Sequence, residues 1–445
     1  MRSTHRAQLL SLLLIGLATA STPAWAENLI EAYQQAYQTD PVLAHARADF
    51  RAEMQDTPLA RSALLPHIGA GAGVGFNTAS ITGFGAAPIN RAYLSDSYSV
   101  NIIQSVFNGQ AWTALKQAGT KIQASAAALT YTEQQLALQV AQAYFGVLEA
   151  QAQLRVARKQ KNLLESIYQQ TKTTLKVGTG DIIAVREAQA RVDAAEADLI
   201  KAHNTVAVAQ RTLQRLTHHP VGILDNLGHY QAMGPEPDDI DTWVQDAVVT
   251  DQPLMHQAEA QLHTAQEQVQ YNQRARWPLV NLQGIAQHTL GSMLPGMVEN
   301  QAGVSLNLSV PLYQGGHTSA SVQQAQAQTV ASVDHVANIR DEVTLNTQTA
   351  FLNLKDSVAE LHAAKATLVS AKISLEGTRK GYEVGTRSII DLLQTATDYI
   401  RAEQDYNVAF YNQVVARVQL KAASGQIGMG DLESINALLR RNEAS

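Results

Sequence analysis

Two stretches of this chain are copies of each other, and that duplication constrains the fold more than any other feature. KVGTGDIIAVRE (176–187) and EVGTRSIIDLLQ (383–394) set Gly178 against Gly385 and Ile182–Ile183 against Ile389–Ile390, at an offset of 385 − 178 = 207 residues. Phe107, Phe145 and Leu148 match Tyr313, Phe351 and Leu354 at 206, whereas Pro41 and Pro66 match Pro253 and Pro278 at 212. The spacing thus changes by 212 − 206 = 6 residues between Pro66 and Phe107, as a loop insertion would change it. On this reading the mature chain is a first repeat (27–220), a polar linker (221–240) containing GPEPDD, a second repeat (241–430) and a tail (431–445).

Each repeat runs helix, strand pair, very long helix, tight turn, long helix. In the first, Asp40 can cap a helix that Pro41 opens. Strict alternation then marks strands at 67–83, 92–107, 279–290 and 301–313. In VSLNLSVPL, Val304, Leu306, Leu308, Val310 and Leu312 share one face, with Ser305, Asn307 and Ser309 on the other. Between Gln110 and Val177 there is no proline, which allows a rod of about 100 Å. Phe351, Leu354, Val358, Leu361, Lys365 and Leu368 recur at 3 and 4, a coiled-coil seam. The repeated glycine motifs, at 176–182 and 382–389, are the tips of two helical hairpins.

The start, MRSTHRAQLLSLLLIGLATASTPAWA, has a basic end, a short apolar core and an A-x-A site, so residues 1–26 are expected to be a secretory signal peptide. The chain has no cysteine, so disulfides and a cysteine-linked lipid are excluded. A net charge of −6 gives no reason to expect nucleic acid as a partner.

Counting strands points to the assembly. Four strands of this length, apolar on one face, cannot close a barrel, and an open edge is not viable in lipid. Several chains must then share one barrel. A dimer gives about eight strands and a filled lumen, a trimer about twelve and a passage, so the trimer is preferred. The competing expectation is a soluble periplasmic coiled-coil adaptor or scaffold, and the apolar strand faces discriminate against it.

ENLIEAYQQAYQTDPVL, SALLPHIGAGAGV, SVNIIQSVFNGQAW, VSLNLSVPLYQGG and GYEVGTRSIIDLL, in this order, resemble the TolC family of outer-membrane channel proteins across essentially the whole mature chain. The resemblance implies a mainly α fold with a β-barrel portion. In it a homotrimer joins a 12-stranded barrel in outer-membrane lipid to a periplasmic α-helical barrel. It also implies a passive, non-enzymatic exit duct for multidrug efflux or type I secretion, without cofactors. Its implied partners are a periplasmic adaptor (membrane fusion) protein and an inner-membrane transporter of RND or ABC type.

The tips carry the candidate site residues. Gly178, Thr179, Gly385 and Thr386 form the turns, where the resemblance implies adaptor docking. Asp391 has Ala184 as its counterpart. Read alone it is a surface carboxylate or an i,i+4 partner of Arg387. The resemblance implies instead an acidic pore ring that favours cations. A second acidic position of the family, one turn later, is Gln394 here. Tyr382 and Arg387 match its gate residues, but their acceptors on the first hairpin are replaced by Ile183 and Ala184, which leaves Asp181 as the substitute. No nucleophile, phosphate-loop or dinucleotide motif occurs, and His256 and His263, seven apart, do not have metal-site spacing.

Overall fold

The computed structural model describes residues 28–83, 86–227, 232–292 and 296–440; the expected signal peptide lies outside them. Its helices are α1 (Leu29–Thr39), α2 (Pro41–Glu53), α3 (Asp56–Ser62), α4 (Gly109–Lys176), α5 (Ile182–Thr217), α6 (Ile240–Asp246), α7 (Pro253–Arg274), α8 (His317–Glu383), α9 (Ile389–Ala423) and α10 (Met429–Asn436). The strands are β1 (His67–Gly83), β2 (Ala86–Asn108), β3 (Asn226–Leu227), β4 (Leu279–Leu290), β5 (Val298–Ser309) and β6 (Leu439–Arg440).

The rods follow from local chemistry. Asn108 ends β2 and caps α4, its side chain accepting the Ala111 amide at 3.0 Å. With no proline to stop it, α4 continues for 68 residues, and α8 for 67. At 1.5 Å per residue each is about 100 Å long. Asp40 caps α2 by accepting the Leu43 amide at 2.8 Å, and Pro41 occupies the first turn, where its missing N–H costs nothing.

The helices form one layer. Along α4 lie α2, α3 and α7 towards the sheet, and α5 and α9 towards the tips; α8 packs on α7 and then on α9. The widest core sits midway, where Tyr144, Phe145 and Leu148 of α4 meet Leu29, Leu43, Leu213, Tyr411 and Val414. On α8 the expected seam buries Phe351, Leu354 and Leu361, with Ser357 beside them, while Lys365 faces out. A single layer has two unfinished edges. Leu345, Leu352, Val369 and Ile373 of α8 are exposed, as are Ile200 and Val208 of α5.

At one end of the rods lies an antiparallel sheet in the order β1-β2-β4-β5. Directly paired residues share a face. One face carries Ile68, Val74, Phe76, Leu94, Val100, Ile102, Leu282, Val304, Leu306 and Leu308, all of them exposed. The opposite face carries Gly69, Gly71, Gly73 and Gly75 across from Asn101, Ser99, Ser97 and Ser95, with Gln283, Gln287, Ser305 and Asn307 in β4 and β5. An uncovered apolar face and two edges without partners among the described residues are a liability in water.

Three boundaries differ from the sequence reading. β2 begins at Ala86 rather than 92, because its pairing with β1 extends past the alternating stretch. β5 runs 298–309, not 301–313: Pro311 has no N–H to donate, and Val310–Gln314 leave the sheet. The segment from 431 is not a free tail up to residue 440. Leu432 and Ile435, three apart on α10, enter the central core, and β6 pairs with β3 inside the expected linker.

Candidate functional site

At the far end of the rods the turns of the two hairpin tips repeat most of each other's bonds. Gly178 and Gly385 both have φ near +81°, a conformation glycine adopts without strain. The Gly178 amide donates to the Leu175 carbonyl, and the Gly385 amide to the Tyr382 carbonyl, each at 3.1 Å. The Thr179 amide donates to the Thr174 carbonyl at 3.1 Å, and the Thr386 amide to the Gly381 carbonyl at 2.8 Å. Both threonine hydroxyls donate to the same carbonyls, at 3.3 and 3.0 Å.

The turns achieve this shape with opposite side-chain choices. At Gly180 a Cβ would lie 2.6 Å from the Leu175 amide nitrogen and 2.8 Å from the Thr174 carbonyl carbon, so only glycine fits. The matching position in the second tip is Arg387, and there the helix residue is the glycine: Gly381 replaces Thr174. The Arg387 side chain fills the space, with its Cγ 2.7 Å from where a Gly381 Cβ would be.

The return helices are capped differently. Asp181 is the N-cap of α5 and accepts the Ile183 amide at 3.1 Å. Its counterpart, Ser388, caps α9 and accepts the Asp391 amide at 3.1 Å. Asp391 closes the box: its carboxylate accepts the Ser388 amide at 3.0 Å and the Ser388 hydroxyl at 2.9 Å. Those two bonds, with the Arg387 charge adding to them, hold the Asp391 carboxyl below the usual carboxylate range. Asp391 thus bonds Ser388, a partner the charge pattern with Arg387 does not point to. Ser388-Ile-Ile-Asp391 is a legible capping-box pattern.

Between the tips lies a cavity of about 360 Å³ lined by Thr171, Thr174, Gly180, Asp181, Ala184, Tyr382 and Ile389, among others. Tyr382 and Asp181, from different repeats, therefore face one space. Arg387 and Asp391 are not in its lining, and among the described residues no hydrogen bond joins Tyr382 or Arg387 to the first tip. Beneath the cavity, Leu164, Ile167, Ala188 and Val192 of the first hairpin pack with Leu392, Leu393 and Ala396 of the second. Among the described residues no cluster of His, Asp and Glu could hold a metal ion.

The sheet end has its own site. Where strands meet helices, Phe107 packs edge-on to Trp112 at 5.0 Å and stacks on Trp277 at 6.1 Å, with the Arg274 guanidinium 5.0 Å from the Trp277 ring. Both tryptophans remain nearly half exposed. Further along the same face, His288 bonds Asn300 at 2.5 Å, and the Tyr98 ring lies 6.4 Å from that of His288. Among the described residues no helix is long and apolar enough to cross a membrane.

A sheet with an apolar, exposed face, carried on rods of about 100 Å that end in paired hairpin tips, is the build of an outer-membrane channel subunit. Sequence comparison agrees: the profile of the family described as outer membrane efflux protein matches residues 32–218 and 244–426, one segment per repeat. The chain belongs to that family. It is 31% identical over 450 residues to outer membrane protein TolC of Escherichia coli (strain K12), covering 96% of this chain and 89% of that one. Against TolC of Vibrio cholerae the identity is 29%, covering 95% and 96%. The alkaline protease secretion protein AprF of Pseudomonas aeruginosa is 28% identical, covering 93% and 88%. Among solved structures, the outer-membrane channel OprN superposes with a TM-score of 0.78 at 17% identity, covering 90% of each chain. The CmeC channel of Campylobacter jejuni also gives 0.78, at 16% identity, covering 93% and 90%. The protein is thus an outer-membrane efflux or secretion channel whose rods extend into the periplasm, and not a soluble adaptor.

Proposed function

We propose that three copies of this chain form one conduit, a 12-stranded barrel continued by a helical tunnel, through which substrates pass without chemistry. The observation that carries this is the four-stranded sheet with an apolar face and two edges that lack neighbours among the described residues. Three such sheets give 3 × 4 = 12 strands, enough to close and to leave a lumen lined by the glycine, serine and asparagine face. The exposed edges of α5 and α8 then meet those of neighbouring protomers. The aromatic cluster at Phe107 and the His288–Asn300–Tyr98 rung bracket the lipid-facing band. The nine residue-to-residue steps of β2 from 98 to 107 rise about 30 Å along the strand, which a tilt of about 40° reduces to about 23 Å.

The tips are the gate. Tyr382 and Asp181 close across the cavity they share, and Arg387 braces the second turn through its contact with Gly381. Asp391, repeated by symmetry, places three carboxylates around the mouth and favours cations. The turns at Gly178–Thr179 and Gly385–Thr386 are the docking points for a periplasmic adaptor that couples the duct to an inner-membrane transporter. In planar bilayers the purified protein conducts ions, and opening the tips by Arg387→Ser raises the single-channel conductance. A protein that inserts but never conducts would overturn the conduit. Photocrosslinkers at Thr179 and Thr386 capture an adaptor in intact cells; capture only from the sheet end would refute docking at the tips.

A further inference from the structure

The unpaired edges of the sheet also specify how neighbouring copies join, an inference that rests on the trimer proposed above. Within one protomer a rung perpendicular to the strands runs Ile68–Ile102–Gly284–Val304. Continued past Val304, it must land on the next copy's β1, at residue 68 plus some shift. The shift must be even, because an odd one would turn apolar side chains into the lumen. It must also be positive, since residue 64 lies before β1 begins at His67.

Closure narrows it further. By three-fold symmetry the barrel shear is three times the shift. With 12 strands about 4.8 Å apart and a rise of about 3.3 Å per residue, shifts of two, four and six give tilts of about 19°, 35° and 46°. Membrane barrels tilt about 35–45°, which leaves four or six. The strand ends decide between them. A shift of six would set His67 and Ile68 opposite Pro311 and Val310, which have already left the sheet, and so leave the first two residues of β1 without partners. A shift of two, already disfavoured by tilt, would put Pro66 opposite Leu308. A shift of four keeps both prolines just outside.

We infer that β5 of each protomer pairs antiparallel with β1 of the next at a shift of four, so that Ser309 lies opposite His67 and Val298 opposite Thr78. All twelve residues of β5 then have partners. On the outer face Leu308 meets Ile68, Leu306 meets Ala70 and Val304 meets Ala72. On the lumen face Asn307 and Ser305 stand over Gly69 and Gly71, where the missing side chains leave room for them. This seam pairs every residue of β5 with residues 67–78 of β1, as the lipid phase demands of that stretch.

The chain contains no cysteine, so paired substitutions report without background. Directly opposed Cβ atoms lie about 4.5–5.5 Å apart, close enough for a disulfide after small adjustment. Ser305→Cys with Gly71→Cys tests the lumen face; Leu306→Cys with Ala70→Cys tests the outer face and the alternate class of ladder pair. Each is produced in the outer membrane, oxidised mildly and run on denaturing, non-reducing gels. The expected result is covalent dimers and trimers from both pairs, released by reductant. The competing register is tested by Ser305→Cys with Gly73→Cys and Leu306→Cys with Ala72→Cys. Efficient linkage in those pairs, with little in the first two, overturns the shift of four and leaves the trimer standing. Unheated samples of the unmodified chain report the assembly separately; if they migrate as monomers, the trimer itself fails and the seam with it.

Discussion

The two hairpin tips have closely similar backbones and different chemistry. Gly178 and Gly385 share one φ, and the amide bonds of the glycines and threonines match pair by pair, while the bond from the Arg387 amide to the Gly381 carbonyl has no counterpart at Gly180. Yet the first tip locks its turn with Gly180, pressed against backbone, and caps its return helix with Asp181 alone. The second locks its turn with the Arg387 side chain over Gly381, and spreads the cap over Ser388 and Asp391. The first turn is packed against main chain and the second against the Arg387 side chain, which can swing. On the gate proposed above, regulation of the opening falls to the second tip.

The largest expected difference is steric. Gly180→Ala drives a Cβ into main chain and should destabilise the first turn by about 2–3 kcal/mol, seen as new protease cleavage at 176–182. Gly381→Ala meets only the Arg387 side chain and the Thr386 hydroxyl, both able to move, and should cost under about 1 kcal/mol. Equal sensitivity of the two tips would erase the contrast between them. Next comes the cap: Ser388→Ala removes the acceptor of the Asp391 amide and should cost about 1 kcal/mol, read as faster amide exchange in the first turn of α9.

Asp391→Asn should lower the preference for cations over anions roughly two- to five-fold in bilayer recordings, since the proposed ring would lose its charge. Unchanged selectivity would confine Asp391 to its cap. The smallest effect is on pH. A carboxyl whose folded pKa is depressed stabilises the folded state above its unfolded value, near 4, and that contribution disappears as pH falls through the lower folded value. The second tip should therefore loosen only below about pH 4. Conductance that rises on acidification in the unmodified channel, with a weaker rise in Ser388→Ala, would fit this sign; a change centred near neutral pH would not.

Much of the architecture was written in periodicity. Alternation in VSLNLSVPL and the absence of proline after Gln110 are strong local signals, and both set long elements. What the sequence obscured were places where distant residues decide. The start of β2 at Ala86 depends on pairing with β1, and the helix after Gly428 depends on a core built from α1 and α4. At the tips the glycine motif was visible, but the exchange of Thr174–Gly180 for Gly381–Arg387 emerges only when the contact across each turn is seen. Ser388 is a different case, because its signal is local: Ser388-Ile-Ile-Asp391 is a capping-box pattern, and the Asp391 carboxylate makes its hydrogen bonds to the cap.

A channel assembled from incomplete sheets makes one demand above all, that no protomer stands alone in the membrane. Native mass spectrometry of the protein extracted from outer membranes in mild detergent tests this directly. The spectrum should be dominated by a species of three chains, each lacking its first 26 residues. A spectrum of single chains, or of pairs, would contradict the account.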